Sequence, residues 1–277
     1  IGDDDAQTAA VIYPRPDVQI YLDLAHRFGV AITHIFESHI HADFMSGARE
    51  LAHRCGGTIC ASAEGGAEYG FDVREITDGE TFTFGSVLLT ARHTPGHTPE
   101  HMSYLVAEAD RPDDPWGVFT GDSLFVGSAG RPDLIGEEET EELTRQLFNT
   151  LTRFYATLND GVVILPCHGA GSACGADIGD RLISSIGYER RTNRVMQFDD
   201  EESFAKFIRD TVPPEPHHYR RLKKMNAQGP PVFGGTLPIR GLSALAFSQA
   251  IGDAGPDAQL VDTRQMLAFG GGHIKGA

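Results

Sequence analysis

Apolar positions in the first third of the chain alternate between two periods. The run Ala9-Ala10-Val11-Ile12-Tyr13-Pro14 reads as a buried strand ended by proline. Ile20, Tyr21, Leu24, Ala25 and Phe28 then recur at helical spacing, with Asp17 as the expected N-cap and Gly29 as the stop. Ile32 to Ser38 predicts a strand that ends at His39. Ser46 to Arg54 predicts a helix closed by Gly56-Gly57, and Thr58 to Ser62 another short strand. Strand and helix alternate, which predicts an α/β layered fold.

The middle of the chain moves to shorter spacing. Glu80 to Thr94 predicts an antiparallel pair turning at Gly85-Ser86, and two further strands are expected at His101–Glu108 and Trp116–Asp122, separated by a polar loop. From Glu137 to Leu158, Leu143, Leu147, Leu151, Phe154 and Leu158 mark a long amphipathic helix whose carboxylates suit its N-terminus. Gly161 to Gly169 is almost uninterruptedly apolar and reads as a strand buried on both faces. Helical segments follow from about Asp177 to Lys224. Glycine and proline then reach linker density, so the expected division is 1–228 for the main domain, 229–240 for a linker and 241–277 for a second piece. In that piece a helix is expected at Leu242–Ile251 and a strand at Ala258–Arg264. Forty-odd residues do not bury an ordinary core alone. The chain opens without Met and stops without a cap, which suggests a processed chain or a fragment.

Composition narrows the function classes. A formal net charge of −16 over 277 residues disfavours a phosphate-backbone partner, and nucleic acid is not expected. The basic run His217–Lys224 reads as a solvated helix face. No apolar run reaches membrane-spanning length, and the four cysteines form no disulfide framework, so a reducing cytoplasm is the expected setting. A homo-oligomer is expected on base rates.

Chemistry concentrates at strand ends. His39, His41 and Asp43 alternate where a strand gives way to a loop too polar for core, a pattern suited to a transition metal. Pro95-Gly96 forces a turn before His97, Asp122 follows a Thr-Gly break at a strand's carboxyl end, and His168 ends the most apolar strand. His34, His93, His101 and Tyr104 read as structural, and Cys167 as a small buried side chain.

In order and interval, "HIHAD", "TPGHT", "TGD" and "PCHG" resemble the metal-binding motifs of the metallo-β-lactamase superfamily. Within it, "ESHIHADFMSGARELA", "TGDSLFVGSAGRPDL" and "HGAGSACG" resemble the persulfide dioxygenase branch, of the type fused to a rhodanese domain, whose opening "LVDTRQMLAFGGGHIKGA" resembles. The resemblance implies an αββα sandwich followed by a linker and the start of a rhodanese-like α/β domain. It also implies that a strand normally preceding Ile1 is missing and that Tyr13 stands where relatives carry an aspartate.

The resemblance further implies one Fe(2+) per chain, held by His39, His97 and Asp122, with open positions for a persulfide sulfur and O2. His41, Asp43 and His168 would orient ligands or waters, or contribute to a weak second metal site. Related hydrolases commonly place a second-metal histidine directly after the aspartate, where this chain has Phe44. Arg131 is the candidate for holding a substrate carboxylate. The implied reaction oxidises a low-molecular-weight thiol persulfide, glutathione persulfide or similar, to sulfite and thiol. A hydroxyacylglutathione-type thioester hydrolase and a non-catalytic metal-binding domain are the alternatives.

Overall fold

The structure, a computed structural model, describes residues 1–235, 241–256 and 258–277. It divides into two units, Ile1–Gly235 and Thr236–Ala277.

In the first unit, β1 (Gly2–Asp3), β2 (Thr8–Ile12), β3 (Ala31–Phe36), β4 (Thr58–Ser62) and β5 (Arg74–Ile76) lie in that order in one sheet. Strands β2 to β5 run parallel; α1 (Gln19–Phe28) and α2 (Ala48–Cys55) provide the first two crossovers and an irregular segment joins β4 to β5. The second sheet takes β6 (Thr81–Phe84), β7 (Val87–His93), β8 (Met102–Glu108) and β9 (Gly117–Gly121) as an antiparallel meander. A small ribbon of β10 (Leu124–Phe125) and β11 (Ser128–Ala129) follows, and then α3 (Glu137–Arg153). The chain returns as β12 (Val163–Pro166), parallel to β9, with β13 (Ser184–Ser185) at the sheet's edge. Helices α4 (Ile186–Thr192), α5 (Glu201–Thr211) and α6 (Tyr219–Gln228) complete the unit.

Three apolar layers hold these elements. Ile32, Ile35 and Ile59 of the first sheet pack on Val18, Ala48 and Leu51 beside α1 and within α2. Phe36 and Ile76 meet Phe82, Phe84, Leu89 and Tyr104 between the sheets. Val118 and Ile164 of the second sheet pack on Leu147, Leu151, Ile186 and Phe204 of α3, α4 and α5. Helix, sheet, sheet and helix form the four expected layers, each strand presenting alternate side chains to its two neighbours.

Several local expectations are corrected. Asp17 does not cap α1; Val18 holds that position without a side-chain cap, buried in the core, and Asp17 instead accepts from Arg15 Nη2 at 3.0 Å on the surface. The helix expected to reach Leu158 ends at Arg153. A single 3-10 turn at Tyr155–Thr157 follows, with the Tyr155 ring buried and its hydroxyl 2.6 Å from Ser103 Oγ. On its outer side β2 is not left bare, since Gly2 and Asp3 pair with Ala9 and Thr8 and the Ile1 ammonium donates to Ala10 O.

The second unit contains α7 (Ala244–Gly252) and α8 (Met266–Gly271). The strand expected at Ala258–Arg264 is absent: those residues are irregular, since a strand requires a ladder partner and the described residues of this unit provide none. No helix among the described residues is long and apolar enough to cross a membrane.

Candidate metal centre

Four loops leaving strand ends converge. His39 lies three residues past β3, His97 in the β7–β8 connection, Asp122 directly after β9 and His168 shortly after β12. His39, His97 and Asp122 are 3%, 1% and 0% exposed. The Asp122 Oδ2 lies 3.5 Å from His97 Nε2 and 3.9 Å from His39 Nε2. His39 Nε2 and both Asp122 carboxylate oxygens are buried without a hydrogen-bond partner among the described residues. Unpartnered buried polar atoms are costly. Separations of this size are near the roughly 3–3.5 Å edges of a coordination polyhedron built on bonds of about 2 Å, so the three residues fit a metal ion.

Each ligand is fixed from behind. Ser38 Oγ pairs with His39 Nδ1 at 2.9 Å, and His97 Nδ1 donates to the Arg131 carbonyl at 2.8 Å, which directs both Nε2 atoms inward. His101 Nε2 accepts the Asp122 backbone N–H at 3.0 Å, so its proton sits on Nδ1, facing Thr94 Oγ1 at 2.9 Å. From Thr94 the polar chain continues through Ser103 to Tyr155. The glycine of "TGD" is required here: Gly121 has φ +51° and a Cβ would stand 2.5 Å from His101 Nε2. Gly130 is equally constrained, since its Cβ would overlap the Asp122 carbonyl.

Burial opposes the charge on Asp122, but the imidazoles of His168 and His39 prevail and hold its carboxyl well below the usual range. Burial pushes His39 and His97 down, and His101 down to about 3, so all three are neutral as ligation and backbone acceptance require. At His168 burial again opposes charge, yet the neighbouring Asp122 carboxylate raises it well above the ordinary imidazole range.

A second group of donors sits on the rim. His168 Nε2 lies 3.1 Å from Asp43 Oδ2 and 3.3 Å from Asp122 Oδ2, and one donor atom each of Asp43, His168 and Cys174 lie within 4.8 Å of one another. The Phe44 ring packs against the His41 ring, centroids 4.4 Å apart, and stands 6.1 Å from that of His168. His41 faces Glu37 Oε2 at 3.0 Å through Nε2 and leaves Nδ1 buried and unpartnered; it does not join the His39, His97 and Asp122 trio.

Arg131 is not a free guanidinium. It is 2% exposed, grips Asp133 through Nε and Nη2 at 2.7 and 2.8 Å, and donates to the Ala173 carbonyl. Burial pushes the Cys167 thiol up to about 12 and that of Cys174 up to about 11, so neither is a thiolate by itself. Tyr13 is a strut, its hydroxyl donating to Leu165 O at 2.7 Å and its ring packing edge-on against Phe119.

Sequence reasoning expected a helix at α6 but missed its inward face. Its basic run was expected to be a solvated face, and Arg220 is indeed exposed, but Tyr219 is 3% exposed with its hydroxyl 3.4 Å from Cys174 Sγ. Asn226 donates to His41 O and Phe44 O at 2.8 and 2.7 Å and accepts from Ser46 N, tying the "HIHADF" loop to the helix. The available signal was the spacing of Tyr219, Lys223 and Asn226 at i, i+4 and i+7 on one helix face.

Known proteins share this arrangement. A crystal structure of a metallo-beta-lactamase from Staphylococcus aureus superposes with a TM-score of 0.85 at 32% identity, covering 99% of this chain and 78% of that one. The mitochondrial persulfide dioxygenase ETHE1 of Homo sapiens is 26% identical over 224 residues, 78% of this chain and 77% of the relative. A hydroxyacylglutathione hydrolase-like protein of Mus musculus is 34% identical over 137 residues, 50% of this chain and 45% of the relative. The chain spans half or less of the length of this and three further curated relatives that it matches. Residues 6–168, more than half of the chain and the span carrying His39, His97, Asp122 and His168, match the metallo-beta-lactamase superfamily, and the chain belongs to that superfamily.

Proposed function

We propose that this chain is an iron-dependent persulfide dioxygenase. It converts a low-molecular-weight thiol persulfide, O2 and water to the parent thiol, sulfite and two protons. The observation that carries the reading is the asymmetry of the centre: a closed trio of His39, His97 and Asp122, with an apolar ring, Phe44, beside His41 and His168 where a further donor would otherwise stand. Two imidazoles and one carboxylate with coordination positions left over suit a non-haem iron(II), which supplies the one-electron chemistry that triplet O2 requires. The chain's own groups do the rest. His39 and His97 present neutral Nε2 donors, and Asp122 presents a carboxylate kept ionised. His168 stands 3.1 Å from Asp43 and 3.3 Å from Asp122, where it orients those carboxylates.

One observation favours a second reading, a hydroxyacylglutathione-type thioester hydrolase. Asp43, His168 and Cys174 offer donors for another ion despite Phe44, and two-metal sites activate water for hydrolysis. Residues Thr236–Ala277 are proposed as the opening of a rhodanese-like domain. Cys174 is the last cysteine in this chain, so a rhodanese cysteine is not among its residues.

Anaerobic metal analysis followed by oxygen-electrode assays with glutathione persulfide tests the proposal. About one iron per chain, with O2 uptake and sulfite release lost in His97→Ala, supports it. Two zinc ions and thioester cleavage without O2 uptake overturn it in favour of the hydrolase.

A further inference from the structure

The short ribbon of β10 and β11 joins two parts of the centre. It begins two residues after Asp122 and ends two residues before Arg131, whose carbonyl accepts the His97 Nδ1–H at 2.8 Å. The loop returns on itself at Gly130, where a Cβ would overlap the Asp122 carbonyl. A ribbon of so few residue pairs has little stability of its own, so its place is decided by what grips it.

The grip comes from α4. Glu189 in that helix and Asn193 at its C-cap stand one turn apart on the same side, and both are 0% exposed. Asn193 Nδ2 donates to the carbonyls of Phe125 and Ser128, at 3.3 and 3.1 Å, and so ties both strands at once. Its third contact is Glu189 Oε2 at 2.9 Å, and the same oxygen accepts the Gly127 N–H at the turn, at 2.7 Å. The Asn193 amide is itself oriented by Oδ1, which accepts the Val195 N–H at 3.2 Å. Val126 O accepts from Gly179 N–H and Ala176 O from Ser128 Oγ, so the segment that holds Arg131 N–H through Cys174 O is also seated on the ribbon.

The clamp is a poor device for stability alone. Glu189 Oε1 is buried with no hydrogen-bond partner among the described residues, and a half-satisfied polar network is destabilising relative to an apolar one. Leu124, Val126 and Ala129 already pack with Ile186 and Val195, which would keep the ribbon in the core without it. Apolar contact does not fix direction, whereas hydrogen bonds do.

We infer that Asn193 and Glu189 are positioning residues of the metal centre: by clamping the ribbon they hold the Arg131 carbonyl where it aims the His97 imidazole at the ion. The inference rests on His39, His97 and Asp122 holding an ion, and it serves the persulfide and thioester readings alike.

The test uses the protein loaded with cobalt(II), a paramagnetic ion that accepts the same donors. Chelator competition gives the affinity, and proton NMR follows the shifted, exchangeable Nδ1–H signals of His97 and His39. His39 is the internal control, because its Nδ1 faces Ser38 and not the ribbon. Asn193→Ala and the equally shaped but donor-free Asn193→Asp should lower cobalt affinity about 10–100-fold and speed exchange of the His97 signal only. Asn193→Ser keeps one donor and should lose less, which preserves the test if the other two variants do not fold. Glu189→Gln retains an oxygen for Gly127 and Asn193 and should behave as wild type. Phe204→Leu thins the same apolar layer away from the ribbon and should lower the Tm with neither change. Unaltered affinity and His97 exchange in the Asn193 variants would overturn the inference. Equal acceleration of the His39 and His97 signals, or an equal affinity loss in Phe204→Leu, would assign the clamp a purely structural role and overturn it as well.

Discussion

The two donor groups of the centre lie side by side and are built in different ways. His39, His97 and Asp122 are almost wholly buried, and each is held from behind by Ser38, by the Arg131 carbonyl or by His101. Asp43 and His168 keep 15% and 13% of their side chains exposed, and their third member, Cys174, comes from a late loop against Tyr219 of α6. A preorganised set loses little entropy on binding an ion, whereas a rim set must order itself first. On the proposed reading, this pairing of a rigid site with a loose one favours a single bound ion.

The comparison breaks most severely at the rigid site. Asp122→Ala removes the one carboxylate of the trio, and metal affinity should fall by more than the about 10–100-fold typical of an outer partner; elemental analysis after gel filtration measures it, and retained stoichiometric metal would refute the assignment. His101→Ala leaves every ligand in place but frees the Asp122 backbone, so a loss of about 10–100-fold is expected. Competition against a chelator reads that change, and unaltered affinity would mean that His101 only fills space.

Acid should reveal the same rigidity in chelator-treated protein. His101 is folded neutral, down to about 3, while an unfolded histidine takes its proton near 6.5. The stability it contributes is therefore present above about 6.5 and is lost as pH falls below it, at about 1.4 kcal/mol per pH unit. His39 and His97 are shifted the same way, and raised His168 gives no compensation because its contribution is already complete below 6.5. Urea midpoints at pH 7 and 5.5 should differ accordingly; equal midpoints would contradict neutral burial. The smallest effect is on the loose site. Phe44→His places an imidazole beside His41 and His168, and metal content should rise toward about two per chain with the first ion unaffected. Zinc titration followed by metal analysis shows whether it does.

Much of the scaffold was legible. The alternating strands and helices of the first third, the hairpin at Gly85-Ser86 and the strand before His168 follow from local periodicity and turn chemistry, which act over a few residues, but the expected burial of that last strand on both faces does not hold: only Ile164 of β12 is fully buried. The strand at Ala258–Arg264 failed because an apolar run specifies a strand only if a partner stands beside it. Arg131 failed because its competitor for a substrate carboxylate, Asp133, is two residues away, and spacing alone does not say which way either side chain turns.

The order and spacing of "HIHAD", "TPGHT", "TGD" and "PCHG" determined by themselves that this chain presents histidine and aspartate at strand ends, since those motifs are fixed by covalent distance and by glycine's backbone freedom. Only the tertiary structure decided which donors meet. It separated His41 from the trio, packed Phe44 against His41, and brought Cys174 against Tyr219 and Asn226 against the His41 loop from as far as 185 residues along the chain. The physical reason is that such encounters depend on layer packing and helix placement, which are settled by contacts summed over the whole unit rather than by any short stretch of it.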